Sequence, residues 1–146
     1  MAERWSRRDA LHQGIAVAAI VVLAVAGMVY LRERPQGPAS LKAEVSTLRS
    51  QAAETELVLS SASQLDARFM KAHAEQLAKN IERAQDSIGN LNVQPALRDA
   101  QRFARNEAQR LHGVAQAASQ GDVTSQRTLP RIIAGELQVL EHTLER

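Results

Sequence analysis

The run Gly14–Leu31, GIAVAAIVVLAVAGMVYL, constrains this chain more than any other feature, because it is 18 residues long and carries no charge. As a helix it spans about 27 Å, close to the roughly 30 Å hydrocarbon layer of a bilayer. Backbone amides in that layer have no water to bond and must satisfy one another, so the run reads as a single membrane-spanning helix. The chain then divides into a short basic tail (1–13), a transmembrane helix (14–31), a Pro/Gly linker (32–40) and a soluble helical domain (41–146).

Arg4, Arg7 and Arg8 precede the span, and Arg32, Arg34, Lys42 and Arg49 follow it. The positive-inside comparison is therefore nearly balanced. A short tail ahead of a larger domain suits a single-pass signal-anchor in the cell membrane, with the N-terminus cytoplasmic and the helical domain periplasmic or extracellular. Trp5 and Tyr30 suit opposite interfaces of the bilayer.

The segment Ser6-Arg7-Arg8-Asp9-Ala10-Leu11-His12 resembles a bacterial twin-arginine export signal. Ala10 stands where that signal has a large hydrophobic residue and His12 where it commonly has lysine, so ordinary membrane insertion is the preferred reading. Ala24-Val25-Ala26 is a small-X-small pattern of the kind found at signal cleavage sites. Met28, Val29, Tyr30 and Leu31 carry the apolar run past it to membrane length, which favours a retained anchor. With no cysteine in the chain, disulfides, thiolate catalysis and cysteine-held metal centres are excluded.

Pro35, Gly37 and Pro38 interrupt helix after the span. Beyond them Leu41, Val45, Leu48, Ala52, Thr55, Leu59 and Ala62 recur at spacings of four and three, which predicts one stripe of an amphipathic helix. A second stripe, Leu65, Phe69 and Ala72 followed by Leu77, Ile81, Ala84, Ile88 and Leu91, changes phase partway. Ser60, Ser61 and Ser63 are turn or cap residues by type, yet no Pro or Gly lies between Ser40 and Ile88, so a turn and a continuous helix are both open.

Gly89-Asn90, with Asn92 as a cap and Pro95 near a helix start, is the clearest boundary of the soluble region. The next helix is predicted over Ala96–Ser119, with Leu97, Ala100, Ala104, Ala108, Leu111, Ala115 and Ala118 on its packing face. Ser119-Gln120-Gly121-Asp122 reads as a turn. A last helix, capped near Thr128 and admitting Pro130 only near its start, presents Leu129, Ile133, Leu137, Leu140 and Leu144, with Gly135 a local weak point. The expected fold is all-α, a single transmembrane helix followed by an antiparallel bundle of four helices; the alternative is an elongated hairpin with one long helix over 41–88.

Aromatic residues make up only 3% of the chain and alanine is abundant, so the apolar area available for burial per residue is modest. Self-association or docking to a larger membrane complex would add burial. From Leu41 onward there are 13 acidic and 13 basic side chains, so the basic balance of the whole chain comes from arginines near the span, which suit lipid phosphates.

Candidate chemistry is sparse. His73, His112 and His142, with Glu75, Glu107 and Glu141, are the residues from which a metal site would have to be built, and Met70 with His73 would serve a heme. None has ligand spacing, so structural or surface roles are preferred, and no cofactor is expected. Glu54 with Glu56, and Glu141 with Glu145, are acidic pairs without a visible cleft. No nucleophile elbow or phosphate-binding glycine loop is present, and the chain is not read as an enzyme.

Arg98, Arg102 and Arg105, joined loosely by Arg110 and divided by Asp99 and Glu107, form a basic face on the third soluble helix. A solvated helix face is the plain explanation, and an acidic protein surface the functional one. Nucleic acid is disfavoured, because no aromatic stacking groups accompany the arginines. The expectation for the whole chain is a noncatalytic membrane-anchored interaction, scaffold or accessory subunit of an envelope complex. An external ligand- or stress-sensing bundle acting through association and an envelope-spanning lysis-type protein are the alternatives.

Overall fold

The computed structural model describes residues 35–124 and 126–146. The tail, the membrane helix over 14–31, the Trp5 and Tyr30 placements, the twin-arginine segment and the Ala24-Val25-Ala26 site all lie outside the described residues. Among the described residues, no helix is long and apolar enough to cross a membrane.

Those residues form four helices: α1 (Pro38–Ser60), α2 (Ala67–Asn90), α3 (Arg98–Ser119) and α4 (Leu129–Leu144), with a 3-10 turn over Pro95–Leu97 ahead of α3. No strand is present among the described residues, and the single β-bridge is an isolated parallel pairing of Gln36 with Val93. The helix therefore starts inside the stretch read as linker. Pro38 sits in the first turn of α1, where its fixed φ and missing N–H cost nothing, and Gly37 precedes it in extended conformation.

The choice between one long helix and two is settled at Ser61–Asp66. Ser60 Oγ bonds back to the Leu57 carbonyl at 2.8 Å and the Ser61 amide donates to the same oxygen at 3.0 Å, closing the end of α1. Asp66, in extended conformation, then starts α2: its Oδ1 accepts from the amides of Arg68 at 2.8 Å and Phe69 at 3.4 Å. An aspartate in that position satisfies amides that have no partner within the helix. The serines act at the end of α1, and Asp66 is the cap.

The predicted α1 stripe is buried from Leu41 to Leu59 and gains Val58, while Ala62 is partly buried beyond the helix end. In α2 the expected change of phase is absent. Met70, Ala74, Leu77, Ile81, Ala84 and Ile88 make one unbroken inward stripe, whereas Phe69 is 55% exposed and Ala72 is exposed. The α3 face holds Ala104, Ala108, Leu111, Ala115 and Ala118 as expected, and adds Val114 and Glu107. In α4, Ile133 and Leu137 are fully buried, and Leu129, Leu140 and Leu144 are partly so.

Antiparallel order follows from the side chains that meet across the helices. Glu44 accepts from Ser87 at 2.7 Å, pairing the start of α1 with the end of α2, and Glu54 meets His73 at 3.2 Å, pairing the later part of α1 with the early part of α2. Lys42 reaches Glu145 at 2.5 Å and Arg49 reaches Glu141 at 2.9 Å, pairing the start of α1 with the end of α4. The result is an up-down-up-down bundle, with α2 packed closely on the alanine-rich face of α3 and α4 on α1. One end holds Gln36, the α2–α3 connection and the C-terminal residues; the other holds the α1–α2 and α3–α4 connections. The α3–α4 connection starts with Gly121 at φ +93°, a left-handed position that lets the chain leave α3 while the amides of Gly121 and Asp122 bond back to Ala118 and Ala117 at 3.0 Å.

Candidate functional site

The end of the bundle at the α2–α3 connection brings the three candidate arginines together. Arg98, Arg102 and Arg105 fall four and three residues apart on one face of α3, and all three line a shallow groove of about 310 Å³ with Gly89, Leu91, Asn92, Val93 and Gln101. Arginine is the only charged residue type lining it.

Gln101 holds the groove in place. Its Nε2 donates to the carbonyls of Ile88 at 2.7 Å and Leu91 at 2.8 Å, so a side chain from α3 fastens the last turn of α2. Arg105 lies over the same turn, with Nε and Cζ 3.5 Å from where a β-carbon on Gly89 would stand, and its charge suits the negative end of α2. Arg102 has a 3.7 Å ion pair with Asp99, in which both side chains are largely in water. Such a pair adds little stability and leaves the guanidinium available.

The structure corrects two features of this basic face as read from sequence. Arg110 does not extend it, and Glu107 does not divide it. Glu107 turns into the bundle, where it is 4% exposed, and Arg110 Nη1 donates to both of its carboxylate oxygens, at 2.8 and 2.6 Å, and to Glu136 of α4 at 2.9 Å. Burial pushes the Glu107 carboxyl above the usual glutamate range; Arg110 pulls it down and the neighbouring Glu136 pushes it up. The same bonds raise Arg110 above its ordinary value. This Glu–Arg–Glu cluster tethers α3 to α4, and only its Glu107–Arg110 spacing was visible along the chain.

The remaining candidates are dispersed. His73 stacks on Phe69 with ring centroids 5.7 Å apart, while His142 Nδ1 lies 2.9 Å from the Gln138 carbonyl. Among the described residues, no group of three or more His, Asp or Glu side chains is placed to hold a metal ion. Of the acidic pairs, Glu54 faces His73, Glu141 pairs with Arg49 and Glu145 with Lys42. The Lys42 hydrogen bond lowers the Glu145 carboxyl below its ordinary value and raises Lys42 in turn.

At the far end of the bundle Ala62, Leu65, Met70, Ala118 and Val123 floor an open groove of about 780 Å³, with Lys71 and Glu75 also lining it. On the outside of α4, Ile132 is 50% and Val139 69% exposed. They stand two turns apart on one face, with open space around Gly135 between them. No family model matches the chain, and none of the curated proteins or solved structures compared with it is significantly similar.

Proposed function

We propose that the chain is a noncatalytic, single-pass membrane-anchored interaction or accessory assembly subunit, held by residues 14–31 and acting through its helical bundle. The carrying observation is the outward apolar face of α4, Ile132 and Val139 across a bare Gly135, on a domain in which Glu107, Glu136, Glu141 and Glu145 are already engaged in ion pairs. An exposed helical stripe of this kind gains by burial against another helix. Confinement to a membrane raises the local concentration of a partner, so a modest interface suffices.

The test is the native mass of the intact protein, extracted gently from its own membranes, with every co-purifying chain identified. A defined larger complex, lost in the double variant Ile132→Glu, Val139→Glu, is the expected result; a clean monomer overturns the reading. A sensing domain acting through association is the second reading, favoured by the apolar-floored groove at the far end of the bundle. A small molecule that changes the native mass would select it. The lysis-type alternative drew on elongated helices, and the short antiparallel bundle leaves it without that support.

A further inference from the structure

The chain enters the bundle at the lip of the arginine groove. The Gln36 amide donates to the Asn92 carbonyl at 2.5 Å, and the Gln94 amide donates to the Gln36 carbonyl at 3.4 Å. Asn92 and the bridged residue Val93 both line the groove. Gln36 is therefore clamped against the turn that leads into α3 and its Arg98, Arg102 and Arg105.

Leu31, the last residue of the apolar run, precedes Gln36 by five residues. Five residues of chain reach at most about 18 Å however they are disposed. Helix α2 runs away from this turn for 24 residues, or about 36 Å. With residues 14–31 in a bilayer, the covalent chain keeps Gln36, at the lip of the groove, within that reach of the end of the apolar run, a bound that residues one helix length away do not share. Arg32 and Arg34, on the tether itself, add charge of the same sign.

From this placement we infer that the groove formed by Arg98, Arg102 and Arg105 docks on anionic phospholipid headgroups of the chain's own bilayer and so fixes the orientation of the bundle. The inference rests on the membrane-anchor reading above. Guanidinium groups suit the purpose because they bind phosphate oxygens with two parallel hydrogen bonds and shed water more readily than ammonium. The exposed Arg102–Asp99 pair is weak enough for a lipid phosphate to displace. A basic side chain near an anionic membrane surface is worth about a five-fold change in local partition, so three acting together bias the docked over the free orientation on the order of 100-fold.

The absence of cysteine gives a direct test with the full-length chain. A fluorophore is placed at Ala96→Cys, beside the groove, or at Ser63→Cys, at the opposite end; both positions are exposed. Energy transfer to a headgroup acceptor is then read in vesicles of phosphatidylcholine alone or with phosphatidylglycerol. Transfer should be stronger from position 96 than from 63, should rise at 96 when phosphatidylglycerol is present, and should lose that rise in the triple variant Arg98→Gln, Arg102→Gln, Arg105→Gln. All three arginines are exposed, so unchanged helical circular dichroism is the control for folding.

Equal transfer from both ends, or a phosphatidylglycerol response that survives the triple substitution, overturns the inference. So does loss of a co-purifying chain in the triple variant without any lipid effect, which assigns the groove to an acidic protein. Release of the chain from vesicles by alkaline carbonate overturns the anchor reading and this inference together; retention with no lipid response overturns this inference alone.

Discussion

Glu107 shows how much one side chain's surroundings alter its meaning. Along the chain it is an acidic residue in a charged helix; in the bundle it is a buried carboxylate sharing one arginine with Glu136. Its raised pKa means that the folded state holds the proton more tightly than the unfolded state. Its contribution to stability is therefore full below the ordinary glutamate range and is lost as pH rises through the elevated folded value. Glu145 has the opposite sign: its lowered pKa gives a contribution present above the ordinary range and lost as pH falls through the folded value. Removing Arg110 leaves two neighbouring carboxylates without their cation, so Arg110→Met should cost about 3 kcal/mol at pH 7 in urea unfolding followed by circular dichroism. The loss should shrink toward pH 5, and Glu107→Gln added to it should restore most of the stability; a pH-independent loss would show that packing, not charge, is responsible. The Glu107–Arg110 spacing was readable in advance, but Glu136 lies 26 residues past Arg110, and only the α3–α4 turn brings it there.

The helices were legible where apolar spacing was regular, and less so where polar side chains decide an end. The α1 and α3 stripes were read nearly as they stand, whereas in α2 the large Phe69 drew the stripe outward and hid the Met70–Ala74 continuation. The α1–α2 break was similarly obscured, because Ser60, Ser61, Ser63 and Asp66 all favour caps and turns and look alike until backbone geometry is known. Asp66 makes the decisive bonds, while Ser60 folds back on its own helix. Asp66→Ala should therefore destabilise the bundle by about 1 kcal/mol in the same unfolding measurement, and Asp66→Asn should cost much less. Equal effects of the two substitutions would mean that charge near the helix start, rather than capping, is what Asp66 supplies. The arginine groove was half legible: its three cationic residues follow from helical spacing, but Gln101 joins them, and Gln36 is clamped at the lip, only when the α2–α3 connection closes.

For the bundle as a whole, 7 of the 21 buried apolar side chains among the described residues are alanine, and none is aromatic. Alanine lets α2 and α3 approach closely but buries little area, so the few large side chains carry a disproportionate share of the stability. Leu137, fully buried where α4 meets the rest of the core, should cost about 3 kcal/mol when replaced by alanine. That is a large fraction of the roughly 5–15 kcal/mol that holds an ordinary domain folded, and it should appear as a clear drop in the urea midpoint. A loss below about 1 kcal/mol would mean that α4 settles into the vacated space. The later helices and their order followed from turn signals and segment lengths, but the choice between four helices and a hairpin with one long helix stayed open until the Asp66 cap, and which helices pack most closely did not follow, because alanine faces give equal licence to several pairings. Four antiparallel helices also return the chain to the end where it began, with Glu145 beside Lys42. For anyone adding a reporter, the two ends of this bundle are therefore not equivalent. A fluorescent protein fused after Arg146 would emerge at the end that holds Gln36 and the arginine groove and compete for room with whatever docks there, while an epitope inserted within 120–128 would stand at the opposite end and leave that space untouched.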